Sequence, residues 1–233
     1  MRNFSLSLCE EVLWSSSHRV SIDDIDLGIF SLDHAFEDIC TLTFTDLLDS
    51  PLFSETERCR ARRFATQHQA RYWLLSRLLL RFFLAEKLRI EPQNIVFSLD
   101  SWGKPRIQGI EFSLSRSADY LALAASEPKQ RIGIDIEKVQ LRSDYSRLLS
   151  YFHPEEQKEL KEIPAPDLPL AFTRLWTRKE AYLKAVGTGL LQGLSKDYTG
   201  TGKNSLLPQN TTLLDIQHPD FCSYPVSLAV IEP

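Results

Sequence analysis

The 233-residue chain lacks the spacings that usually mark metal, redox or nucleophile sites. Its five histidines (His18, His34, His68, His153 and His218) lie far apart, and its four cysteines (Cys9, Cys40, Cys59 and Cys222) include no CxxC pair. That argues against a zinc knuckle or a disulfide framework and fits a reducing cytoplasm. There is no G-x-S-x-G elbow, no Walker loop and no dinucleotide-binding glycine pattern. The formal net charge of -4 leaves no global basic field for nucleic acid or a membrane surface. The most apolar run, Tyr72 to Ala85, carries Arg77 and Arg81, so it is expected to be a buried helix and not a membrane span. A signal peptide is not evident, because Glu10-Glu11 and Ser15-Ser16-Ser17 interrupt the first apolar residues and only Arg2 charges the start. The expectation is a cytoplasmic protein.

What is present has the make-up of a folded protein, with 43% hydrophobic and 25% charged residues and a length that suits one large or two small domains. The first fifty residues predict a strand or two with loops. Ser54 with Glu57 and Thr66 with Gln69 predict two capping boxes, the second opening a helix to about Leu88 with Leu75, Leu78, Leu79, Phe82 and Phe83 at helical spacing. Pro92 ends it, and a β-rich stretch is expected from Asn94, with a turn at Trp102-Gly103-Lys104-Pro105 and strands near Glu111 and Tyr120. A boundary near Glu127 divides the chain into halves, 1–127 and 128–233. The second half predicts a strand from Arg131 to Lys138, helices near Ser143 to Phe152 and Pro154 to Glu162, and a long helix from about Asp167 to Val186 closed by Gly187. A loop-rich section with Gly189, Gly193, Gly200 and Gly202 follows, then strands near 212–216 and 225–231. The fold class expected is α+β.

Two stretches carry chemistry. On the long helix, residues four apart share a face, so Trp176, Glu180 and Lys184 form one stripe. Alone, that stripe reads as a solvated ion pair worth a few tenths of a kcal/mol. In Ile132-Gly133-Ile134-Asp135-Ile136-Glu137, strand alternation sends the three isoleucines to one face and both acids to the other. Neighbouring carboxylates repel unless a cation lies between them, and a hard cation such as Mg2+ suits oxygen ligands. Two solvated acids on a half-exposed edge strand are an equal alternative from the strand alone. Arg60, Arg63, Lys104 and Arg116 are candidate phosphate contacts. Their bland counterparts are a solvated helix face, a surface turn and a strand-end ion pair.

Together these stretches resemble the 4'-phosphopantetheinyl transferases, in particular the larger, Sfp-like type. The matching residues are Gly103-Lys104-Pro105, Phe112 to Ser117, Gly133 to Lys138, Trp176 to Lys184 and Gly187 to Leu190, in order, from about Ser54 to Leu194. The resemblance implies a pseudo-dimer of two similar α+β halves with the site at their junction. It implies Asp135, Glu137 and Glu180 as ligands of Mg2+, with Mn2+ as the alternative, and Lys184 on the phosphates or the attacking oxygen. It places Arg60, Lys104, Ser115 and Arg116 at the nucleotide end of coenzyme A. The family usually has Asn-x-Ser-His-Ser where this chain has Ser113-Leu114-Ser115-Arg116-Ser117, so an arginine stands in for a histidine.

The implied reaction is transfer of 4'-phosphopantetheine from coenzyme A to a serine of an apo acyl or peptidyl carrier protein, releasing 3',5'-ADP. Glu180, or else Glu137, would take the serine proton. The protein is expected to act as a monomer without nucleic acid or membrane. A metal-dependent phosphodiesterase or nuclease and a non-catalytic protein binding coenzyme A or the carrier are the alternatives from other classes.

Overall fold

The structure, a computed structural model, describes residues 17–38, 43–100, 104–141, 144–187, 194–201 and 206–233. Trp102, Gly103, Ser143, Gly189, Leu190, Gly193, Gly202, Cys9 and Cys40 lie outside the described residues. The chain is mixed α and β and divides into two compact units, Met1–Ile110 with Asp119–Leu123 and Glu111–Ala118 with Ala124–Pro233. No helix among the described residues is long and apolar enough to cross a membrane.

In the first unit, β1 (Ser17–Ile22) and β2 (Ile25–Ser31) pair antiparallel from Ser17↔Phe30 to Ile22↔Ile25. Helices α1 (Leu32–Asp38), α2 (Phe44–Asp49), α3 (Glu55–Ala61) and α4 (Gln67–Leu88) follow. Ser54 and Glu57 form the full reciprocal box that starts α3, whereas Thr66 caps α4 from one side, its hydroxyl accepting from Gln69 N. The middle of α4 is buried, Leu74, Leu78, Leu79 and Leu84 completely. Two of its arginines, Arg77 and Arg81, are accommodated by one carboxylate. Glu57 takes Arg77 at 3.0 Å and buried Arg81 at 2.7 Å, so neither charge enters the core unpaired.

The β-rich stretch expected from Asn94 is present near Glu111 and Tyr120, but its first part is reduced to a 3-10 turn at Pro92–Asn94 and two-residue strands β3 (Ser98–Leu99) and β4 (Pro105–Arg106). The same arginines explain the reduction. The Ile95 carbonyl accepts from Arg81 at 2.6 Å, and Phe97 lies under both guanidinium groups at 4.5 and 5.0 Å. That backbone is committed to side chains before a sheet ladder can claim it.

In the second unit lie β5 (Glu111–Ser117), β7 (Arg131–Ile136), β8 (Thr211–Ile216) and β9 (Val226–Ile231). Strand β6 (Tyr120–Ser126) contributes residues to both units. Three strands form an antiparallel sheet in the order β7-β9-β8, with β9 buried along its whole length. The helices are α5 (Tyr145–Leu149), α6 (Pro154–Glu162) and α7 (Leu168–Val186). Helix α5 is shorter than expected. The chain turns after it, and Phe152 packs against Phe172 and Trp176 of α7 at ring separations of 5.6 and 6.0 Å. Gly187 ends α7 with φ +84°, a left-handed cap that glycine adopts without steric cost.

A buried ion pair ties α7 to α6. Lys179 and Glu156, 1% and 0% exposed, meet at 2.8 Å. Burial pushes the lysine below its ordinary value, and the Glu156 charge opposes that. Glu156 also accepts from the backbone and hydroxyl of Thr199 at 2.8 and 3.0 Å, and Lys179 donates to the Asp197 carbonyl at 2.6 Å. Lys179→Met is therefore expected to cost about 3–5 kcal/mol, because it strands a buried carboxylate. Urea unfolding measures the loss, and adding Glu156→Gln should recover part of it. A single variant as stable as wild type would contradict the pairing.

Candidate active site

The site starts from a glycine. A Cβ on Gly133 would stand 2.0 Å from the Ala181 carbonyl oxygen and 2.6 Å from the Ala185 nitrogen. Helix α7 thus rests with its backbone on β7, at a distance that no side chain at 133 permits. Two further ties fix its rotation. Thr177 and Ser227 share a hydrogen bond at 3.0 Å, and Arg178 reaches Asp215 at 2.9 Å. The consequence is that Trp176, Glu180 and Lys184 occupy the half-buried face of the helix, beside Asp135 of β7 and Glu137, which lies one residue past the strand because β7 ends at Ile136 and not at Lys138.

Strand alternation works as expected on one side: Ile132, Ile134 and Ile136 are completely buried. On the other side Asp135 is also buried, at 2% exposure, and Glu137 is half-buried. Asp135 is therefore not a solvated edge-strand acid. Its Oδ1 accepts from Lys184 Nζ at 2.7 Å and from the Ser115 hydroxyl at 2.6 Å. Its Oδ2 is buried with no hydrogen-bond partner among the described residues. Burial raises the Asp135 carboxyl above its ordinary value even though the Lys184 ammonium and Ser115 oppose the shift. Lys184 also donates to the Ile134 carbonyl at 3.0 Å and to the Leu114 carbonyl at 3.4 Å.

Glu180 completes the group. Burial raises its pKa to about 7, the charges of Asp135 and Glu137 push the same way, and Lys184 opposes them. A glutamate that feels both acids lies in their negative field. The carboxylate oxygens of Asp135, Glu137 and Glu180 do not all fall within 4.8 Å of one another. The donor set nevertheless suits a hard divalent cation. It offers oxygen ligands, one of them a buried carboxylate atom with no partner among the described residues, and a third acid whose burial, helped by the charges of the other two, disfavours its ionised form.

The remaining expected site residues are placed as follows. Ser115 spends its hydroxyl on Asp135, and Arg116, the next residue on β5, is exposed. In the first unit, Arg60 is exposed near the end of α3, its guanidinium 5.4 Å from the Trp73 ring centre. Lys104 is half-buried, with its backbone N–H donating to Asp100 at 2.9 Å. One partner was missed from the sequence. Ser117 donates to Glu137 Oε2 at 2.6 Å. The two-residue period of Ser113, Ser115 and Ser117 is the signal that would have found it, since it puts all three on one face of β5. A cavity of about 270 Å³ adjoins Glu137, lined also by Lys138, Gln140, Leu148, Phe172, Thr173 and Trp176.

Comparison with known proteins bears on this arrangement. Residues 131–220 match the 4'-phosphopantetheinyl transferase superfamily, and residues 47–128 match the 4'-phosphopantetheinyl transferase N-terminal family. The chain is 34% identical over 175 residues to the 4'-phosphopantetheinyl transferase HetI of a Nostoc species, covering 72% of this chain and 70% of that one. It is 32% identical over 148 residues to the 4'-phosphopantetheinyl transferase psf-1 of Bacillus pumilus, covering 62% of each. With the L-aminoadipate-semialdehyde dehydrogenase-phosphopantetheinyl transferase of Xenopus laevis it shares 32% over 151 residues, 58% of this chain and 49% of the relative. The matches thus span between about half and seven tenths of these relatives' lengths. The chain belongs to the 4'-phosphopantetheinyl transferase family.

Proposed function

We propose that this protein transfers the 4'-phosphopantetheine group of coenzyme A to a serine of an apo acyl or peptidyl carrier protein, with Mg2+ at Asp135, Glu137 and Glu180. Membership of the family supports the reaction class. The observation that carries the site is the buried Asp135 carboxylate, one oxygen clamped by Lys184 and Ser115 and the other without a partner among the described residues.

In the reaction the carrier serine oxygen forms a bond to the β-phosphorus of coenzyme A. The bond from that phosphorus to the bridging oxygen breaks, and 3',5'-ADP leaves with the electron pair. When bound, Mg2+ supplies neutralisation of charge on the pyrophosphate. Asp135, on β7, and Glu137, one residue past its end, provide the oxygen ligands. Lys184 holds the Asp135 carboxylate in place and adds positive charge beside the departing phosphate. Glu180 accepts the serine proton, and Glu137 is the second candidate for that step. Following the resemblance, Arg60, Lys104 and Arg116 are assigned to the nucleotide end of coenzyme A, whereas Ser115, implied there too, has its hydroxyl committed to Asp135.

The test is incubation of the protein with coenzyme A, Mg2+ and an apo carrier protein, followed by intact mass of the carrier. A phosphopantetheine mass increase that vanishes with EDTA is expected. No increase across fatty-acid, polyketide and peptidyl carriers would overturn the assignment.

A further inference from the structure

Strand β5 does more than border the site. Its Ser113 and Ser115 bond to β7, and Ser117, two residues on, bonds to the segment that directly follows β7. Ser113 Oγ accepts from the Ile134 N–H at 3.0 Å, Ser115 donates to Asp135 Oδ1 at 2.6 Å, and Ser117 donates to Glu137 Oε2 at 2.6 Å. All three are buried, between 3% and 8% exposed. The direction of the last bond is fixed by a second one. Ser117 Oγ accepts from the Lys138 N–H at 3.0 Å, so its hydroxyl hydrogen points away from that N–H and onto the glutamate.

We infer that Ser117 is a positioning residue for Glu137, and Ser115 for Asp135, and that this serine ladder pre-orients the two carboxylates towards a divalent cation. Glu137 is a longer and more exposed side chain than Asp135, with more rotamers to lose on binding. Ser117, anchored to the backbone of the residue after Glu137, removes that freedom beforehand. Ser115 and Lys184 together occupy Asp135 Oδ1 and leave Oδ2 as the atom to be presented. Partners that orient metal ligands are typically worth a factor of about 10–100 in metal affinity.

This inference rests on the carboxylate site proposed above, and titration of the purified protein with Mn2+ separates the two. Ser117→Ala is expected to raise the Mn2+ dissociation constant by about tenfold or more. Ser117→Thr keeps the hydroxyl and should retain affinity, and Ser117→Cys, nearly isosteric but a weak donor, should fall with the alanine variant. Ser113→Ala removes a ladder bond that touches no carboxylate. It should lower the melting temperature while leaving the Mn2+ dissociation constant within about twofold, which separates positioning from general support. Wild-type Mn2+ affinity in folded Ser117→Ala or Ser117→Cys, or equal weakening by Ser113→Ala, overturns the ladder and leaves the carboxylate site standing. No Mn2+ binding by the wild-type protein overturns the carboxylate site, and the ladder with it.

Discussion

Glu180→Gln is expected to abolish transfer and, in metal-free protein above neutral pH, to make the protein more stable. The folded state holds Glu180 at a pKa of about 7, against an ordinary value of 4.5. Between those two values the folded protein keeps a proton that the unfolded chain has lost. Stability therefore falls as pH rises through that window. Above pH 7 an ionised Glu180 sits in the field of Asp135 and Glu137, and the accumulated penalty approaches about 3 kcal/mol, less what solvent screens from a half-buried group. A glutamine has no proton to lose. The variant should melt on the order of 5 °C above wild type at pH 8, and the gain should shrink towards nothing near pH 4.5. Saturating Mg2+ should favour wild type again, because a ligand that binds the folded state stabilises it. Loss of the base should lower turnover by about 10²–10⁴. Thermal melts at pH 4.5, 6 and 8, with and without Mg2+, check the first part, and the carrier mass assay checks the second. Equal melting at every pH would remove the negative field from the account, and wild-type turnover would remove Glu180 from the chemistry.

How much of this was legible in the sequence depends on what each residue was asked to do. Gly187 after a helical run, Pro154 at a helix start and Ser54 three residues before Glu57 are local signals, and each helix end falls within a residue of where they put it. The alternation of Ile132, Ile134 and Ile136 is local too, and all three are buried. What could not be read is contact across the fold. Nothing local says that Asp135 would be buried, because burial depends on Lys184 and Ser115 coming from other elements. The start of the β-rich stretch expected from Asn94 is cut short for a similar reason: from the middle of α4, Arg81 takes the Ile95 carbonyl and, with Arg77, the Phe97 ring. Lys179 is a further case. In a charged Arg-Lys-Glu run it looks like surface, yet it is among the most buried side chains because Glu156 from another helix meets it.

Gly133→Ala should be the most damaging small substitution in the second unit, and the reason is geometric. Its φ is not in the left-handed region that favours glycine, so backbone strain is not the issue. The added methyl would meet the Ala181 carbonyl oxygen at 2.0 Å, the Ala185 nitrogen at 2.6 Å and Lys184 Cβ at 2.9 Å. Two of these are helix backbone atoms, which cannot rotate aside as a side chain can. Helix α7 would have to lift from β7, and every tie along it would be stretched: Thr177 to Ser227, Arg178 to Asp215, and Lys184 to Asp135. Overpacking of this kind costs about 3 kcal/mol or more where the neighbours cannot yield, a fall in melting temperature on the order of 10 °C for a chain of this size. Lifting the helix also parts Glu180 and Lys184 from Asp135, so Mn2+ affinity and transfer should fall with stability. Ala181→Gly offers a sharp control. Because the clash is with the carbonyl oxygen of residue 181 and not with its methyl group, adding Ala181→Gly to Gly133→Ala should not rescue it. Rescue would mean that side-chain crowding sets the spacing of α7 and β7. A Gly133→Ala protein melting within about 2 °C of wild type would mean that the helix does not rest on the strand at all.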